Sequence, residues 1–270
     1  MMDNKYDEMK NLFNVKNKVA IVTGAAQGIG QGIAFGYSAN GGKIMCTDIK
    51  KKELENTVNE VNRNEGIAEY FVADITDINQ VRNLYDATIK KFKKIDTLYI
   101  VPSINFRKKI EDYSYEEFDK VINVNLKSAF ILMKEIGTKM RNNENGGSII
   151  ILSSIRSLVV EPGQSVYAAT KAGVLQLART FASEMGQFNV RVNAIGPGVV
   201  DTPLTSQIKN DENWYKAYAE KTVFKRWATV KEIVGPAIFL ATDASSYITG
   251  SIIYVDGGWT AIDGRYQPRV

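Results

Sequence analysis

The sequence predicts an α/β fold, in which a single domain is built on a doubly wound parallel sheet of about seven strands with helices on both faces. Short β-branched and apolar runs alternate with longer helical patterns from residue 18 to residue 255, which is typical of a parallel sheet covered on both sides. A glycine-rich turn joins the first run to the first helix. At 270 residues, of which 44% are hydrophobic, the chain can bury one large core.

Seven short apolar runs predict the strands, and patterns with helical spacing predict the connections between them. The predicted strands are residues 18–22, 43–47, 68–73, 97–101, 148–152, 190–195 and 251–255. The first predicted helix begins after Gly30, and a later one ends at about residue 93. Of the remaining predicted helices, one runs through residues 118–133, one contains Tyr167 and one covers residues 231–241. Because ligands of such sheets bind at the carboxyl ends of the strands, we expect the functional site there.

The first turn reads Thr-Gly-Ala-Ala-Gln-Gly-Ile-Gly at residues 23–30. It follows a strand and precedes a helix, so its backbone N–H groups lie where a pyrophosphate binds in a Rossmann-type domain. Gly24 permits the tight turn, Gly28 the close approach of phosphate, and Gly30 the packing of helix on strand. A glycine turn without a ligand is the alternative. The dinucleotide-binding residues predicted here are Gly24, Gln27, Gly28, Ile29 and Gly30.

Asp48 ends the second predicted strand, where a carboxylate can accept hydrogen bonds from the 2′-hydroxyl of an adenosine ribose. The same carboxylate repels a 2′-phosphate, so we predict NAD in preference to NADP. Three lysines follow at residues 50–52. They lie in solvent if they begin a helix, but they supply compensating positive charge and permit NADP if they face the site.

Tyr167 and Lys171 are four residues apart in a segment that follows the strand ending in Ser153 and Ser154. On a helix this spacing places the phenol beside the ammonium group. A phenol has a pKa of about 10, and a neighbouring positive charge lowers that pKa toward neutrality, so the pair suits proton transfer. Taken alone, such a pair also occurs on solvent-exposed helices.

The composition excludes several kinds of site. The chain has no histidine, so imidazole-based triads and histidine-ligated metal centres are excluded, and we predict no metal site. The single cysteine, Cys46, lies in a predicted strand and is expected in the core. A net charge of +4 is spread along the chain, which argues against a nucleic-acid partner. The first 17 residues lack the apolar core of a signal peptide, and no apolar run has transmembrane length, so we expect a cytoplasmic protein without a membrane partner.

Four motifs carry a resemblance to the short-chain dehydrogenase/reductase family over about residues 17–259. The motifs are the glycine turn, Ser154 with the Tyr167-x-x-x-Lys171 pair, Asn-Ala-Ile-Gly-Pro-Gly at residues 193–198 and Asp-Gly-Gly at residues 256–258. The resemblance implies reversible hydride transfer between nicotinamide and a carbinol carbon. It makes Tyr167 the general acid–base, and it makes Ser154, rather than Ser153, the donor that polarises the substrate oxygen. It implies that Lys171 holds the nicotinamide ribose and lowers the pKa of Tyr167.

The same resemblance assigns further positions. Asn125 would support a water that relays protons to Lys171, and Asp74 would contact the adenine ring. The cofactor-binding residues predicted outside the glycine turn are Asp48, Asp74, Ile75, Tyr167, Lys171, Pro197, Gly198, Val200 and Thr202.

One segment departs from the family pattern. After the fourth strand the family has Asn-Asn-Ala-Gly, whereas this chain has Ile-Val-Pro-Ser at residues 100–103. A side chain therefore stands where glycine lets the backbone approach the cofactor. We expect a small loop movement to absorb the change. The alternatives are a shifted nicotinamide and a dinucleotide-binding regulatory protein without turnover.

The loops resemble those of the family branch that acts on sugar acids and polyols, including gluconate dehydrogenases that oxidise at C5. Arg107 and Arg156 would bind a substrate carboxylate through bidentate hydrogen bonds, or else lie in solvent. Gln164 would bond a substrate hydroxyl or cap the helix. Trp214 belongs to residues 202–224, which are predicted as one or two short helices that form a lid, with ordinary core packing of the aromatics as the alternative. A 3-oxoacyl-thioester reductase and a hydroxysteroid-type dehydrogenase are the alternative activities.

We predict a polar N-terminal segment at residues 1–16, a catalytic domain at residues 17–260 and a tail at residues 261–270. The resemblance implies a homotetramer, in which the helices from about Tyr115 and from about Val166 form one interface and the C-terminal region forms another. We expect the tail to complete the pocket of a neighbouring subunit.

Overall fold

The computed structural model describes residues 6, 8, 9 and 11–262 of the chain. A sheet of seven parallel strands in the spatial order β3-β2-β1-β4-β5-β6-β7 lies at its centre. The strands are β1 Val19–Thr23, β2 Lys43–Asp48, β3 Ile67–Val72, β4 Thr97–Ile100, β5 Gly147–Leu152, β6 Val190–Pro197 and β7 Ile252–Val255. The predicted fold class is confirmed, and each predicted strand boundary lies within about two residues of the observed one.

Helices connect the strands and cover both faces of the sheet. The α-helices are α1 Gly28–Ala39, α2 Lys51–Arg63, α3 Ile78–Phe92, α4 Tyr115–Ile122, α5 Ser128–Glu135, α6 Ser165–Met185, α7 Ser206–Lys209, α8 Glu212–Lys221 and α9 Val230–Ala241. A π-helical turn, Asn123–Lys127, joins α4 to α5. The helix predicted through residues 118–133 is therefore continuous, but it is locally widened, as often happens at functional sites.

Short polar side chains fix where several helices begin. The Asp77 carboxylate accepts hydrogen bonds from the backbone of Asn79 and Gln80 at the start of α3. Ser114 and Glu117 form a reciprocal capping box at the start of α4. Each cap satisfies N–H groups that a helix end leaves without an intrahelical partner.

Alternation along the strands divides the core into two layers. Ala20 and Val22 of β1 pack toward α1, α2 and α9, whereas Ile21 packs toward α3, α5 and α6. All three side chains are fully buried. Cys46 of β2 lies in the first of these layers and is buried, as predicted.

The strand order places the sequence motifs at one edge of the sheet. The chain leaves β1 toward β2 and β3 on one side, and then returns to β4 on the other side of β1. The loops after β1 and β4 therefore diverge and leave a crevice at their carboxyl ends. The glycine turn follows β1, Asp48 ends β2, and residues 101–107 follow β4.

The predicted lid region consists of short helices, as expected. A 3-10 turn, Pro203–Thr205, leads into α7 and then α8. The aromatic side chains of α8 form a small core of their own rather than joining the two main layers. The aromatic members of this small core are Trp214, Tyr215 and Tyr218 of α8, together with Trp227 and Trp259.

Some predicted segments extend beyond the described residues. The tail predicted at residues 261–270 lies outside them from residue 263 onward, as do residues 1–5, 7 and 10 of the N-terminal segment. The domain boundaries and the role of the tail therefore stay predictions. In the part of the chain that the structure describes, no helix is long and apolar enough to cross a membrane.

Candidate active site

The glycine turn lines a cleft of about 890 Å³ at the carboxyl ends of the central strands. Gly24 and Gly28 have φ angles of 70° and 58°, in the left-handed region that other residues rarely adopt. A Cβ atom on Gly30 would lie 2.1 Å from the carbonyl oxygen of Gly24. The turn therefore folds back tightly on the start of α1, as the three glycines predict.

The N-terminus of α1 is open toward this cleft. Gln27 occupies the N-cap position, but its side chain makes no capping hydrogen bond. Its Oε1 instead accepts a hydrogen bond from Lys50 Nζ at 3.0 Å. The first turn of α1 also contains no acidic residue. Its first N–H groups and the positive end of the helix dipole are therefore free to bind an anion.

Asp48 lies on the wall of the same cleft. Its carboxylate accepts hydrogen bonds from the backbone of Ala26 at 3.3 Å and of Lys50 at 3.0 Å. A glycine cradle, an open helix N-terminus and a carboxylate at the end of the adjacent strand fit a dinucleotide whose adenosine ribose lies at Asp48. Further predicted cofactor residues that line the cleft are Gln27, Ile29, Asp74, Ile75 and Thr202.

The loop after β6 matches its prediction only in part. Gly198 lines a second cavity that adjoins the cleft. Pro197 and Val200 line neither cavity, and Val200 is packed in the core with 3% of its surface exposed. Both residues are buried at and just after the end of β6, and their predicted place beside the cofactor stays a prediction.

The second cavity has a volume of about 90 Å³. It is lined by Ser154 and Tyr167, the two hydroxyl residues predicted to contact the substrate oxygen. Leu204 of the lid region lines both this cavity and the cleft. Burial raises the pKa of the Tyr167 hydroxyl, while Ser154 and Ser103, through hydrogen bonding, and two nearby arginines act to lower it. The net pKa of Tyr167 is above its usual value, because burial disfavours the phenolate more than these groups stabilise it.

Lys171 lies one helical turn after Tyr167, with its Nζ 5.6 Å from the centre of the phenol ring. The Nζ donates a hydrogen bond to the Leu152 carbonyl oxygen at 2.7 Å. Burial lowers the pKa of Lys171 to about 7. The groups that lower the pKa of Tyr167 in this structure are Ser154, Ser103, Arg107 and Arg156, and burial outweighs them. The predicted effect of Lys171 on that pKa stays a prediction.

Lys171→Met should stabilise the ligand-free protein at low pH. The folded-state pKa of Lys171 lies near 7, below its unfolded value, so the unfolded chain binds an extra proton between about pH 7 and pH 10 and stability rises with pH across that window. Burial of the ammonium therefore costs most below pH 7, on the order of 4 kcal/mol, while the lost bond to Leu152 costs about 1 kcal/mol. Urea unfolding at pH 6 and pH 10 measures the difference.

The matched control for this change is Lys91→Met, because Lys91 is half exposed and pairs with Glu69 on the surface. We expect the control to show little change in unfolding free energy at either pH. A Lys171→Met protein no more stable than the wild type at pH 6 would contradict the expectation.

Asn125 lies in the π-helical turn and is buried. Its Oδ1 accepts a hydrogen bond from the backbone N–H of Ile104 at 2.8 Å, and its Nδ2 donates to the Ile104 carbonyl at 2.9 Å and to Thr170 Oγ1 at 3.2 Å. Asn125 thus clamps the loop after β4 against α6. Its predicted role in a proton relay stays a prediction.

Two adjacent serines end β5, and the structure separates their roles. Ser153 Oγ donates to the carbonyl oxygen of Lys171 at 2.8 Å and is committed to joining β5 to α6. Ser154 lines the second cavity and influences the Tyr167 hydroxyl. The geometry therefore favours Ser154 as the residue that faces a substrate.

The Ile-Val-Pro-Ser segment lines the cleft through Val101, Pro102 and Ser103. A Cβ atom on Gly24 would lie 3.1 Å from Pro102 Cγ, so Pro102 packs directly on the glycine turn. Ser103 Oγ is buried and, among the described residues, makes no hydrogen bond of ordinary geometry, yet it is near enough to lower the pKa of Tyr167. The proline is accommodated without displacing the predicted acid–base residues.

The two predicted substrate arginines converge on one carboxylate that the sequence did not single out. Arg107 Nη1 lies 2.7 Å from Glu161 Oε1, and Arg156 Nη2 lies 2.5 Å from Glu161 Oε2. Tyr218 of the lid donates to the same carboxylate at 2.5 Å. The alternative that both arginines simply lie in solvent does not hold, because Glu161 pairs with each of them. Their predicted contact with a substrate carboxylate stays a prediction. A lone acidic residue between Ser154 and Tyr167 was the available signal.

The remaining predicted substrate residues lie around this cluster. Gln164 is buried at the N-cap of α6, but its side chain does not cap the helix; it donates to Glu161 and accepts from Asn105 Nδ2. Trp214 is not among the residues that line the second cavity. Its ring lies 5.2 Å from the Arg107 guanidinium, so Trp214 supports an arginine rather than contacting the cavity, because α8 turns it toward the aromatic cluster.

Comparison with known proteins gives consistent matches over nearly the whole chain. The family whose sequence model matches residues 24–260 is described as enoyl-(acyl carrier protein) reductase. The chain is 34% identical to the 3-oxoacyl-(acyl-carrier-protein) reductase FabG of Thermotoga maritima, over 90% of this chain and 98% of that protein. It is 34% identical to the 2-dehydro-3-deoxy-D-gluconate 5-dehydrogenase of Dickeya dadantii, over 93% of this chain and 98% of that protein.

A solved structure agrees closely with the fold. It is described as a putative NAD(P)-dependent gluconate 5-dehydrogenase from Beutenbergia cavernae with bound NADP at low occupancy. The TM-score is 0.89 at 33% sequence identity, covering 93% of this chain and 100% of that one.

Proposed function

The chain belongs to the short-chain dehydrogenase/reductase family and is an oxidoreductase that acts on CH–OH groups, and from this we propose that its substrate is a sugar acid oxidised at a secondary alcohol with NAD. The cavity beside Tyr167 carries the proposal, because Arg107 and Arg156 line it and no carboxylate is among the described residues that do so. A cavity with positive charge and several hydrogen-bonding groups suits a hydroxylated carboxylate.

The chain's own residues would divide the proton chemistry between them. A bound nicotinamide supplies the carbon that accepts the hydride. Tyr167, in its phenolate form, would take the hydroxyl proton of the substrate at its phenolic oxygen as the carbinol hydrogen leaves as hydride, so that the alcohol becomes a ketone and the phenol is re-formed. Ser154 hydrogen-bonds the same substrate oxygen, and Lys171 holds the nicotinamide ribose. Asn125 fixes the loop after β4 and relays protons to Lys171 through water.

NAD is the proposed cofactor, although the Beutenbergia cavernae structure is described with bound NADP. The support is Asp48, whose carboxylate faces the glycine turn and would repel a 2′-phosphate. Lys50 bonds Gln27 rather than Asp48 through its side chain, and α2 begins at Lys51. The glycine turn, Asp74, Ile75, Gly198 and Thr202 complete the proposed cofactor site.

Residues 202–224 are proposed to act as a lid. Tyr218, which lines the second cavity, donates a hydrogen bond to Glu161 and so links this segment to the loop before α6. Closure of this kind excludes water from the hydride-transfer step.

A homotetramer is proposed for the assembled protein. Tyr115, Phe118 and Phe130 on α4 and α5 are 88%, 44% and 50% exposed. Large apolar side chains clustered on one pair of helices indicate an interface between subunits. The helix that begins near Val166, α6, would contribute to the same interface.

The test of function is NADH formation across sugar acids, polyols and secondary alcohols, with NADP assayed in parallel. We expect turnover of a sugar acid, and a higher kcat/KM with NAD than with NADP. Turnover of a 3-oxoacyl thioester in preference to every sugar acid would instead favour the second candidate, which the similarity to FabG supports. Dinucleotide binding without turnover of any substrate would favour a regulatory protein.

A further inference from the structure

Glu161 is placed where it controls the charge of the substrate cavity. The charged side chains among the cavity-lining residues are Arg107 and Arg156. Glu161 stands behind both guanidinium groups and pairs with each of them. The three side chains together therefore carry one net positive charge instead of two.

We propose that Glu161 is a positioning residue that restricts the cavity to substrates with a single carboxylate, by cancelling one guanidinium charge and holding both arginines in place. The proposal rests on the proposed function, since it specifies which sugar acids the site accepts. It adds a selectivity that neither arginine provides alone, because two unpaired guanidinium groups would favour a dicarboxylate.

The surroundings of Glu161 keep it charged. Burial alone would raise the pKa of its carboxyl. Four neighbours more than offset this: Tyr218, Arg107 and Gln164 by hydrogen bonds and Arg156 by its charge. The net pKa of Glu161 is therefore below the usual value. Glu161 is therefore ionised at neutral pH. Its acceptor positions are shared among four donors.

An aromatic ring also lies beside each guanidinium group. Arg107 lies 5.2 Å from the ring centre of Trp214, and Arg156 lies 5.4 Å from that of Trp259. Each arginine is thus held by a carboxylate on one side and a ring on another. The direction in which each guanidinium faces the cavity is set before a substrate binds.

One neutral acceptor completes the site. Asn105 lines the cavity, and its Nδ2 donates to Gln164 Oε1 at 3.1 Å. Its Oδ1 is buried and has no hydrogen-bond partner among the described residues, which is costly unless a ligand supplies a donor. A substrate hydroxyl satisfies it, so the cavity matches a hydroxylated monocarboxylate.

The test compares three six-carbon probes that differ only at their ends: D-glucitol, D-gluconate and D-glucarate. Their affinities for the NADH-loaded protein, which cannot oxidise them, are measured by titration calorimetry, alongside kcat/KM with NAD. The wild type should bind the monocarboxylate most tightly. Glu161→Gln, which keeps the size of the side chain and leaves two net positive charges, should raise the ratio of glucarate to gluconate affinity by about tenfold.

Two further variants test whether the change in the affinity ratio comes from the charge at Glu161. Glu111→Gln removes an exposed carboxylate that pairs with Lys109 on the surface, and it should leave the affinity ratio unchanged. Arg156→Gln leaves no net charge in the cluster and should lower the ratio of gluconate to glucitol affinity by about tenfold. The ratio of glucarate to gluconate affinity should therefore rise in Glu161→Gln, whereas the ratio of gluconate to glucitol affinity should fall in Arg156→Gln. A general folding defect would not produce this pair of changes.

Failure of the inference is distinct from failure of the proposed function. Gluconate that binds without turnover would overturn the proposed activity and still support the charge rule if the ratios shift as expected. An unchanged glucarate-to-gluconate ratio in a folded Glu161→Gln protein would overturn the inference, even with an active wild type. Absence of binding by all three probes would overturn it as well.

Discussion

Tyr167→Phe should lower kcat for alcohol oxidation by about a thousandfold while leaving NAD affinity nearly unchanged. Removal of a positioned general acid–base typically costs a hundredfold to ten-thousandfold in rate. The ring is half-buried in α6, so phenylalanine retains its packing and removes only the hydroxyl oxygen that would accept the substrate proton. Steady-state assays with the best substrate, together with calorimetric titration of NAD, separate the two effects.

A suitable control for Tyr167→Phe is Tyr70→Phe. Tyr70 is on the edge strand β3, and its hydroxyl donates to Glu55 at 2.7 Å on the surface. This variant also loses one phenolic oxygen, but at a position outside both cavities, so kcat should stay within about twofold of the wild-type value. A Tyr167→Phe protein with near wild-type turnover would refute the proton-transfer role.

Gly30→Ala should abolish dinucleotide binding at ordinary concentrations, with an increase in Kd of at least about a hundredfold, and should destabilise the fold. A Cβ atom there would lie 2.1 Å from the Gly24 carbonyl oxygen and 2.7 Å from the Gly24 carbonyl carbon. Both contacts are with backbone, which cannot rotate away, so the turn itself must move. Overpacking of this kind costs about 1–3 kcal/mol or more, and outweighs the gain of up to about 1 kcal/mol in helix propensity.

The chain offers a matched glycine for comparison. Gly235 lies inside α9, and a Cβ atom on it would meet nothing within 4 Å. Gly235→Ala should raise the free energy of unfolding by up to about 1 kcal/mol and leave the Kd for NAD unchanged. Titration of NAD and urea unfolding of both variants measure the contrast. Unimpaired NAD binding by Gly30→Ala would show that the turn does not hold the pyrophosphate.

Local patterns were sufficient for the elements and their order. The central strands are short runs of β-branched and apolar residues, and their alternation put Ile21 on one face and Val22 on the other. The Tyr167 and Lys171 spacing required only that the segment be helical, and it lies in α6. Gly24, Gly28 and Gly30 could be interpreted because each restricts the backbone within a single turn.

The charge balance of the site could not be predicted from local sequence patterns. The arginine cluster brings together residues from the loop after β4, the loop before α6 and the lid helix α8. Loops have no periodicity from which such contacts can be predicted. Glu161 is one acidic residue among many in the sequence, and only its position between two guanidinium groups distinguishes it.

The pKa of the catalytic pair shows the same division. The sequence by itself determined that a phenol and an ammonium lie one helical turn apart, because helix geometry depends on nearby residues alone. It could not determine which way their pKa values move, because burial is a property of the assembled protein. Packing of α6 against β5 raises the pKa of Tyr167 and lowers that of Lys171 to about 7. The sequence alone therefore determined the fold, the glycine turn and which groups are predicted to react, whereas the tertiary structure decided the direction in which their pKa values move and the charge of the cavity, since both depend on contacts between distant segments.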